Sequence, residues 1–210
     1  RAEPLPLSAF LDERGDGHEA LLDEVLQRRL NIVVSGATSS GKTSLLGSLL
    51  TLVDGGERII TMEDTAELAP PRGNLVRLEA RPASIDGTVA IPLERLLHTA
   101  LRLRPDRLVV GEVRGAEVLG LVNALNTGHD GSLSTVHANS PLDALHRLET
   151  LVVQAAPSWP LAAIRSHLSR CLDVVIHVER APGGHRRISA IAEVAGPVDG
   201  NDALDVRPVT

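Results

Sequence analysis

The chain has 210 residues, 43% of them hydrophobic but only 1% aromatic, and a formal net charge of −6. The length suits one large domain or one domain with small appendages, and the core must come from Leu, Val, Ile and Ala because Phe10 and Trp159 are the only Phe, Tyr or Trp residues. The acidic balance argues against bulk binding to nucleic acid or an anionic membrane, and the missing aromatics leave bases little to stack on.

Residues 1–17, with Pro4, Pro6, Gly15 and Gly17, read as a linker or lead-in segment. Leu21, Leu22, Val25, Leu26 and Leu30 recur at helical spacing over 18–30, and Ile32-Val33-Val34 is an apolar run that suits a buried strand. After the glycine-containing stretch 36–43, Leu45, Leu46, Leu49, Leu50 and Leu52 mark a helix. Asp54-Gly55-Gly56 is a turn, residues 58–62 a strand ending at Glu63-Asp64, and 75–79 a further short strand. Asp86-Gly87 turns the chain into a helix near 93–101, which Pro92 can start and Pro105 must end. Leu108-Val109-Val110 is a buried strand followed by Gly111-Glu112, 116–126 is helical, and 132–137 alternates like a strand.

Ser140-Pro141-Leu142-Asp143 starts a helix with an N-cap, a first-turn proline and an early acid. Pro157 and Pro160 break the chain before a helix over 161–171. Residues 174–178 and 186–194 read as paired strands joined by Pro182-Gly183-Gly184. Residues 196–210 read as a polar, frayed tail. Strands alternating with helices predict an α/β fold, a mainly parallel sheet with helices on both faces and ligands at the carboxyl ends of its strands.

Cys171 is the only cysteine, so no intrachain disulfide forms, and no Cys/His cluster has zinc spacing. No apolar run is long enough to cross a bilayer, and no charged-then-apolar leader is visible. A soluble cytosolic protein is the expectation, and the start at Arg1 rather than Met points to a fragment of a longer protein.

Gly36-Ala37-Thr38-Ser39-Ser40-Gly41-Lys42-Thr43 fits G-x-x-x-x-G-K-[ST] between a strand and a helix. Gly36 and Gly41 let backbone N–H groups turn inward as an anion nest, and the positive end of the next helix adds to it. Ser44 continues this cradle, Lys42 can reach the β- and γ-phosphates, and the Thr43 hydroxyl can hold Mg²⁺. Three polar groups fall where strands should end. Glu63 can orient or deprotonate a water, Glu112 can hold Mg²⁺ through its water shell, and His137 can sense a γ-phosphate. Each alone reads equally as surface or structural, and only their joint occurrence with the loop points to hydrolysis.

The loop at 36–43, ITMEDTAEL at 60–68, LRLRPDRLVVGEVRGAE at 101–117 and TGHDGSLSTVHANSPLDALHRLE at 127–149 resemble, in order, the Walker A, Asp box, Walker B and His box of the type II/type IV secretion ATPase superfamily. The likeness is strongest to the tight-adherence (Flp pilus) branch, near the conjugation-type ATPases, and spans roughly residues 18–195. It implies a RecA-like P-loop NTPase core over 18–195 that hydrolyses ATP with Mg²⁺ as a homohexamer. It also implies docking on an inner-membrane platform protein, peripheral to the membrane at its cytoplasmic face, to power pilus assembly or export.

Carried over by residue, Lys42 and Thr43 bind phosphate and Mg²⁺ and Glu63 is the general base. Glu112 takes the Walker B place, where glycine-glutamate replaces the usual aspartate, and His137 is the His-box histidine. His129 also matches a family position, without a clear role. Of Arg77, Arg81, Arg102, Arg104 and Arg114, the first three are favoured as γ-phosphate partners across a subunit interface, and Arg104-Pro105-Asp106 reads as a turn. Ser39 stands where many relatives carry a third glycine. The resemblance leads to the expectation that the family's N-terminal domain is not part of this sequence, that residues 4–11 are the remnant of its linker, and that Phe10 or Leu11 flanks the adenine. The alternatives are a conjugation-type DNA or protein transfer ATPase, a P-loop small-molecule kinase, and a ring component that binds nucleotide without turnover.

Overall fold

The computed structural model describes residues 4–11, 18–68, 70, 73–196 and 203–209. An eight-stranded sheet runs through them in the order β3-β2-β4-β5-β1-β6-β7-β8. These strands are β1 (Ile32–Gly36), β2 (Ile59–Glu63), β3 (Leu75–Glu79), β4 (Arg107–Val110), β5 (Leu133–His137), β6 (Val174–Arg180), β7 (Arg186–Ala195) and β8 (Asp205–Pro208). From β3 to β6 every neighbouring pair is parallel, and β7 and β8 extend the sheet antiparallel. Successive parallel strands need crossovers, and helices α1 (His18–Gln27), α2 (Lys42–Leu52), α3 (Leu93–Ala100), α4 (Glu117–Leu125), α5 (Pro141–Ala155) and α6 (Leu161–Cys171) accompany them.

Side chains that alternate along the strands divide the core in two. Val33, Ile60, Met62, Val110, Val136 and Val175 face α3, α4, α5 and α6. Ile32, Val34, Ile59, Val109, Leu133 and Ile176 face α1 and α2. The parallel strands are therefore apolar on both faces, as a doubly covered sheet requires. Ser140 caps α5 as expected, its Oγ accepting from the Asp143 N–H at 3.0 Å, a contact of about 1 kcal/mol. Cys171 is a free, buried thiol that burial, and then the nearby Asp173 carboxylate, push up to about 12, which leaves it unreactive.

Two expectations need correction. The tail is not frayed over 203–209. Leu204 is buried among the helices of one face, Val206 packs against them, and Asp205–Pro208 pairs with β7 as the edge strand. Its closing Pro208 sits at the open edge of the sheet, where the lack of an N–H costs little. Residues 197–202 lie outside the described set. Nor does Phe10 flank a nucleotide. Leu7–Phe10 forms a 3₁₀ turn, Phe10 is fully buried beside α1 and α2, and Leu11 packs on the same cluster. Burying so large a side chain contributes up to about 3 kcal/mol, which holds the ring in the core and away from solvent. Residues 12–17 of the expected linker lie outside the described set.

Candidate nucleotide site

The site lies at the carboxyl ends of β1, β2, β4 and β5, where the chain leaves the sheet. Residues 37–41 join β1 to α2. A side chain at Gly36 would collide with the Val178 carbonyl on β6, and Gly41 holds a φ of 105°, so the loop follows its path only with glycine at both positions. Ser39 also holds a left-handed φ, of 61°. That conformation explains why glycine suits this position, and the serine accepts its modest cost.

Lys42 opens α2 and is buried. Its Nζ donates to the Gly36 and Ala37 carbonyls, each at 3.0 Å, so the ammonium folds back over the loop. Burial pushes its pKa below the ordinary lysine value, and the Glu112 carboxylate pulls it back up. An ammonium with this history gains by meeting an anion.

A cavity of about 430 Å³ opens over the loop, lined by Thr38, Lys42, Thr43, Glu112, His137 and Arg186 among others. A second, of about 250 Å³, adjoins it and is lined by Thr43, Glu63, Asp64, Glu67, Glu112 and Arg114 among others. Thr43, Glu67 and Glu112 belong to both, so phosphate cradle and acidic chamber are one continuous site. The donors facing the acidic chamber are hydroxyl and carboxylate oxygens, the set that suits Mg²⁺. With the loop beside them, the residues present fit a magnesium nucleotide.

Glu63 is the last residue of β2 and is buried, 3% exposed. Its Oε1 accepts from the Glu67 N–H at 3.0 Å and the Leu68 N–H at 2.9 Å, so the loop after β2 fixes the carboxylate. Gly111, after β4, makes room for it, because a Cβ there would lie 2.9 Å from Glu63 Cγ. Thr135 on β5 donates to the Gly111 carbonyl at 2.6 Å and its own carbonyl accepts from the Val113 N–H, which ties the strand of His137 to the loop of Glu112. Glu117 Oε1 accepts from the Arg114 and Gly115 N–H groups and steadies the far side of that loop. His137 is exposed at the end of β5, its Nδ1 3.4 Å from Thr38 Oγ1.

The loop residues 36–44, Glu63, Glu112 and His137 therefore meet, but the favoured arginines do not join them. Arg77 is exposed on β3 and donates to the Leu68 carbonyl, and Arg81 is exposed and reaches the Val89 carbonyl. Arg102 is exposed in the 3₁₀ turn Leu101–Leu103, which precedes β4 at the opposite end of the sheet. His129 is at that end as well, its Nδ1 against the Ala124 carbonyl, and it lines a cavity there with Arg58 and Asp106. Arg104 is left-handed before Pro105, with Asp106 accepting from the Arg58 N–H, which makes this segment a turn.

Sequence reasoning named Arg114 without favouring it and passed over Thr135 and Arg186. Arg114 pairs with Asp64 at the mouth of the acidic chamber, and its place beside Glu112 was a usable signal. Thr135 sits within the His-box stretch and was also within reach. Arg186, which donates to Ser44 Oγ from 142 residues away, left no signal at all.

A strand–glycine loop–helix unit with its lysine, and acids at the ends of neighbouring strands, define a RecA-like P-loop fold. The chain belongs to the Type II/IV secretion system protein family, whose model matches residues 10–190. A putative conjugal transfer protein of Mycobacterium tuberculosis (strain H37Rv) is 46% identical over 173 residues, covering 82% of this chain and 49% of that protein. A probable conjugal transfer protein TrbB of Sinorhizobium fredii is 34% identical over 198 residues, covering 93% and 57%. The VirB11 ATPase of the Brucella suis type IV secretion system, solved with sulphate, superposes with a TM-score of 0.76 at 33% identity, covering 85% of this chain and 52% of that one. The pilus retraction motor PilT with bound ADP gives a TM-score of 0.69 at 26% identity, covering 92% and 53%. The chain thus spans about half the length of the relatives it matches. No helix among the described residues is long and apolar enough to cross a membrane.

Proposed function

We propose that this chain is the ATP-hydrolysing core of a secretion-system motor. The observation that carries the reading is the joined pair of cavities in which Lys42, Thr43, Glu63, Glu112 and His137 meet at the carboxyl end of one sheet. The loop amides and Lys42 bind the phosphates of ATP, with Lys42 exchanging its two carbonyl partners for phosphate oxygens. Thr43 and Glu112 would hold Mg²⁺, which supplies charge neutralisation on the phosphates. Glu63 takes the proton of a water that attacks the γ-phosphorus, the bond to the bridging oxygen breaks, and ADP leaves with that electron pair. His137, touching the loop through Thr38, links the γ-phosphate end to β5.

The likeness to conjugal transfer proteins and to VirB11 favours a type IV secretion or conjugation setting over the tight-adherence pilus branch. The exposed Arg77, Arg81 and Arg102 suit a ring, here a homohexamer, in which a neighbour's nucleotide receives them. Such a ring would work at the cytoplasmic face of the inner membrane on a platform protein. Family membership weighs against a small-molecule kinase.

Calorimetric titration with ADP and with ATP plus Mg²⁺ tests the binding step. The wild type binds both, and Lys42→Ala weakens ATP at least about tenfold, the scale of losing charge-assisted hydrogen bonds. A wild type that binds neither would contradict the reading.

A further inference from the structure

Arg186 belongs to none of the sequence motifs, yet it lies on the glycine loop. It is the first residue of β7, on the far side of the hairpin that begins with β6. Its side chain leaves the sheet and crosses the start of α2. Nη1 donates to Ser44 Oγ at 3.3 Å, and its Cδ occupies the space that a Gly41 side chain would need. It lines the phosphate cavity with Thr38, Lys42 and Thr43.

The positive charge at this spot is not paired off locally. The N-terminus of α2 carries partial positive charge, and Lys42 adds a full one. Glu67 and Glu112 line the cavity too, but among the described residues no carboxylate lies within ion-pair distance of Arg186. Its neighbours on the hairpin differ. Arg187 pairs with Glu179, and Arg180 donates to the Gly184 carbonyl. A guanidinium pressed against a helix N-terminus without an acid is matched by an anion from outside, and a phosphate fits its planar fork.

Which phosphate follows from the contacts. Arg186 touches Gly41 and Ser44, and neither lines the chamber that holds Glu63. In such loops the backbone cradles the α- and β-phosphates while the lysine reaches the β and γ. We infer, resting on the nucleotide reading above, that Arg186 binds the α-phosphate of the bound nucleotide. ADP and ATP share that phosphate, so Arg186 supplies uniform binding: it sets affinity for both and leaves the chemical step alone.

The test is calorimetric titration of ADP and ATP into the full chain as wild type, Arg186→Gln, Arg186→Lys and Lys42→Ala, with melting temperatures of the nucleotide-free proteins. Arg186→Gln is expected to weaken ADP and ATP by the same factor, about tenfold, the loss typical of a charge-assisted contact. Arg186→Lys should recover part of it, because the ammonium keeps the charge and loses the fork. The nucleotide-free melting temperature should not fall with Arg186→Gln, since a cation leaves a helix N-terminus. Unchanged affinity for both nucleotides would overturn the inference. So would a loss confined to ATP, which would place Arg186 on the γ-phosphate. A fall in nucleotide-free melting temperature that Arg186→Lys does not restore would make it a structural strut. A wild type that binds neither nucleotide would sink the nucleotide reading itself. Binding that is lost in Lys42→Ala but normal in Arg186→Gln would overturn this inference alone.

Discussion

The two ends of the sheet use the same kinds of residue to opposite purpose. At the amino ends of the strands, Arg107 is 2% exposed and grips Glu57 through Nε at 2.8 Å and Nη2 at 2.9 Å. It also donates to the Leu26 and Gly131 carbonyls, and Arg29 joins Glu57 from the other side. That cluster is closed, its charge answered by groups of the chain itself. At the carboxyl ends, Lys42 leans on loop carbonyls, Arg186 rests on a hydroxyl, and Glu63 is presented by two backbone N–H groups beside open space. A buried charge whose partners are complete is architecture, whereas one held in readiness beside a cavity is a site.

The largest effect expected from breaking this contrast is at the closed end. Arg107→Ala leaves Glu57 with Arg29 alone and strips donors from two buried carbonyls, and should cost about 3 kcal/mol of stability, the lower range for breaking a buried pair. Urea unfolding measures it. The half-exposed Arg187–Glu179 pair offers the scale for an ordinary surface contact, about 0.5 kcal/mol. If Arg107→Ala costs no more than Glu179→Ala, which breaks that surface pair, the closed cluster is not the anchor described.

At the open end the vulnerable point is a position rather than a charge. Gly111→Ala forces Glu63 from its place, since the added carbon would lie 2.9 Å from its Cγ. A displacement of that kind should lower kcat about a hundredfold. ADP affinity should hold, because neither residue lines the phosphate cavity. Loss of ADP binding instead would mean that Gly111 supports the loop as a whole.

The smallest effect is one of pH, on a residue between the two regimes. His177 on β6 is buried, with its Nδ1 2.8 Å from Ser35 Oγ on the strand that leads into the glycine loop. Burial holds its pKa below the ordinary 6.5. Glu179 and Asp143 pull upward and Lys42 pushes down, weaker than burial. The unfolded imidazole therefore takes a proton at a higher pH than the folded one. The stability this provides is present above pH 6.5 and is lost as pH falls below it, and His177→Asn should flatten that part of the stability–pH curve. A wild-type curve already flat there would refute it.

Much of this is legible in the sequence. Short apolar runs such as Ile32-Val33-Val34 and Leu108-Val109-Val110 marked the buried strands, and leucine spacing marked the helices between them. The glycine loop and the strand-end acids were readable because their signal is local: a glycine that must turn, a lysine one helical step on, a carboxylate at a strand terminus. Contacts made between distant parts of the chain were not readable. Arg186 meets Ser44 only because β6 and β7 fold beside β1, and no spacing encodes that. Phe10 was assigned to a ligand from its place in the expected linker, where a large apolar side chain serves equally as a core anchor. The tail carried its strand signal in a few apolar positions, Leu204, Val206 and Val209, too few to outweigh the polar residues around them.

ATP hydrolysis at these strand ends, with Glu63 as the base, is the proposal on which the rest depends. Its most direct measurement is Mg²⁺-dependent phosphate release by wild type and Glu63→Gln, with nucleotide binding followed in the same preparations. Binding retained in both proteins, with release lowered at least about a hundredfold in the variant, is the predicted result. Equal release from the two would contradict the assignment of Glu63.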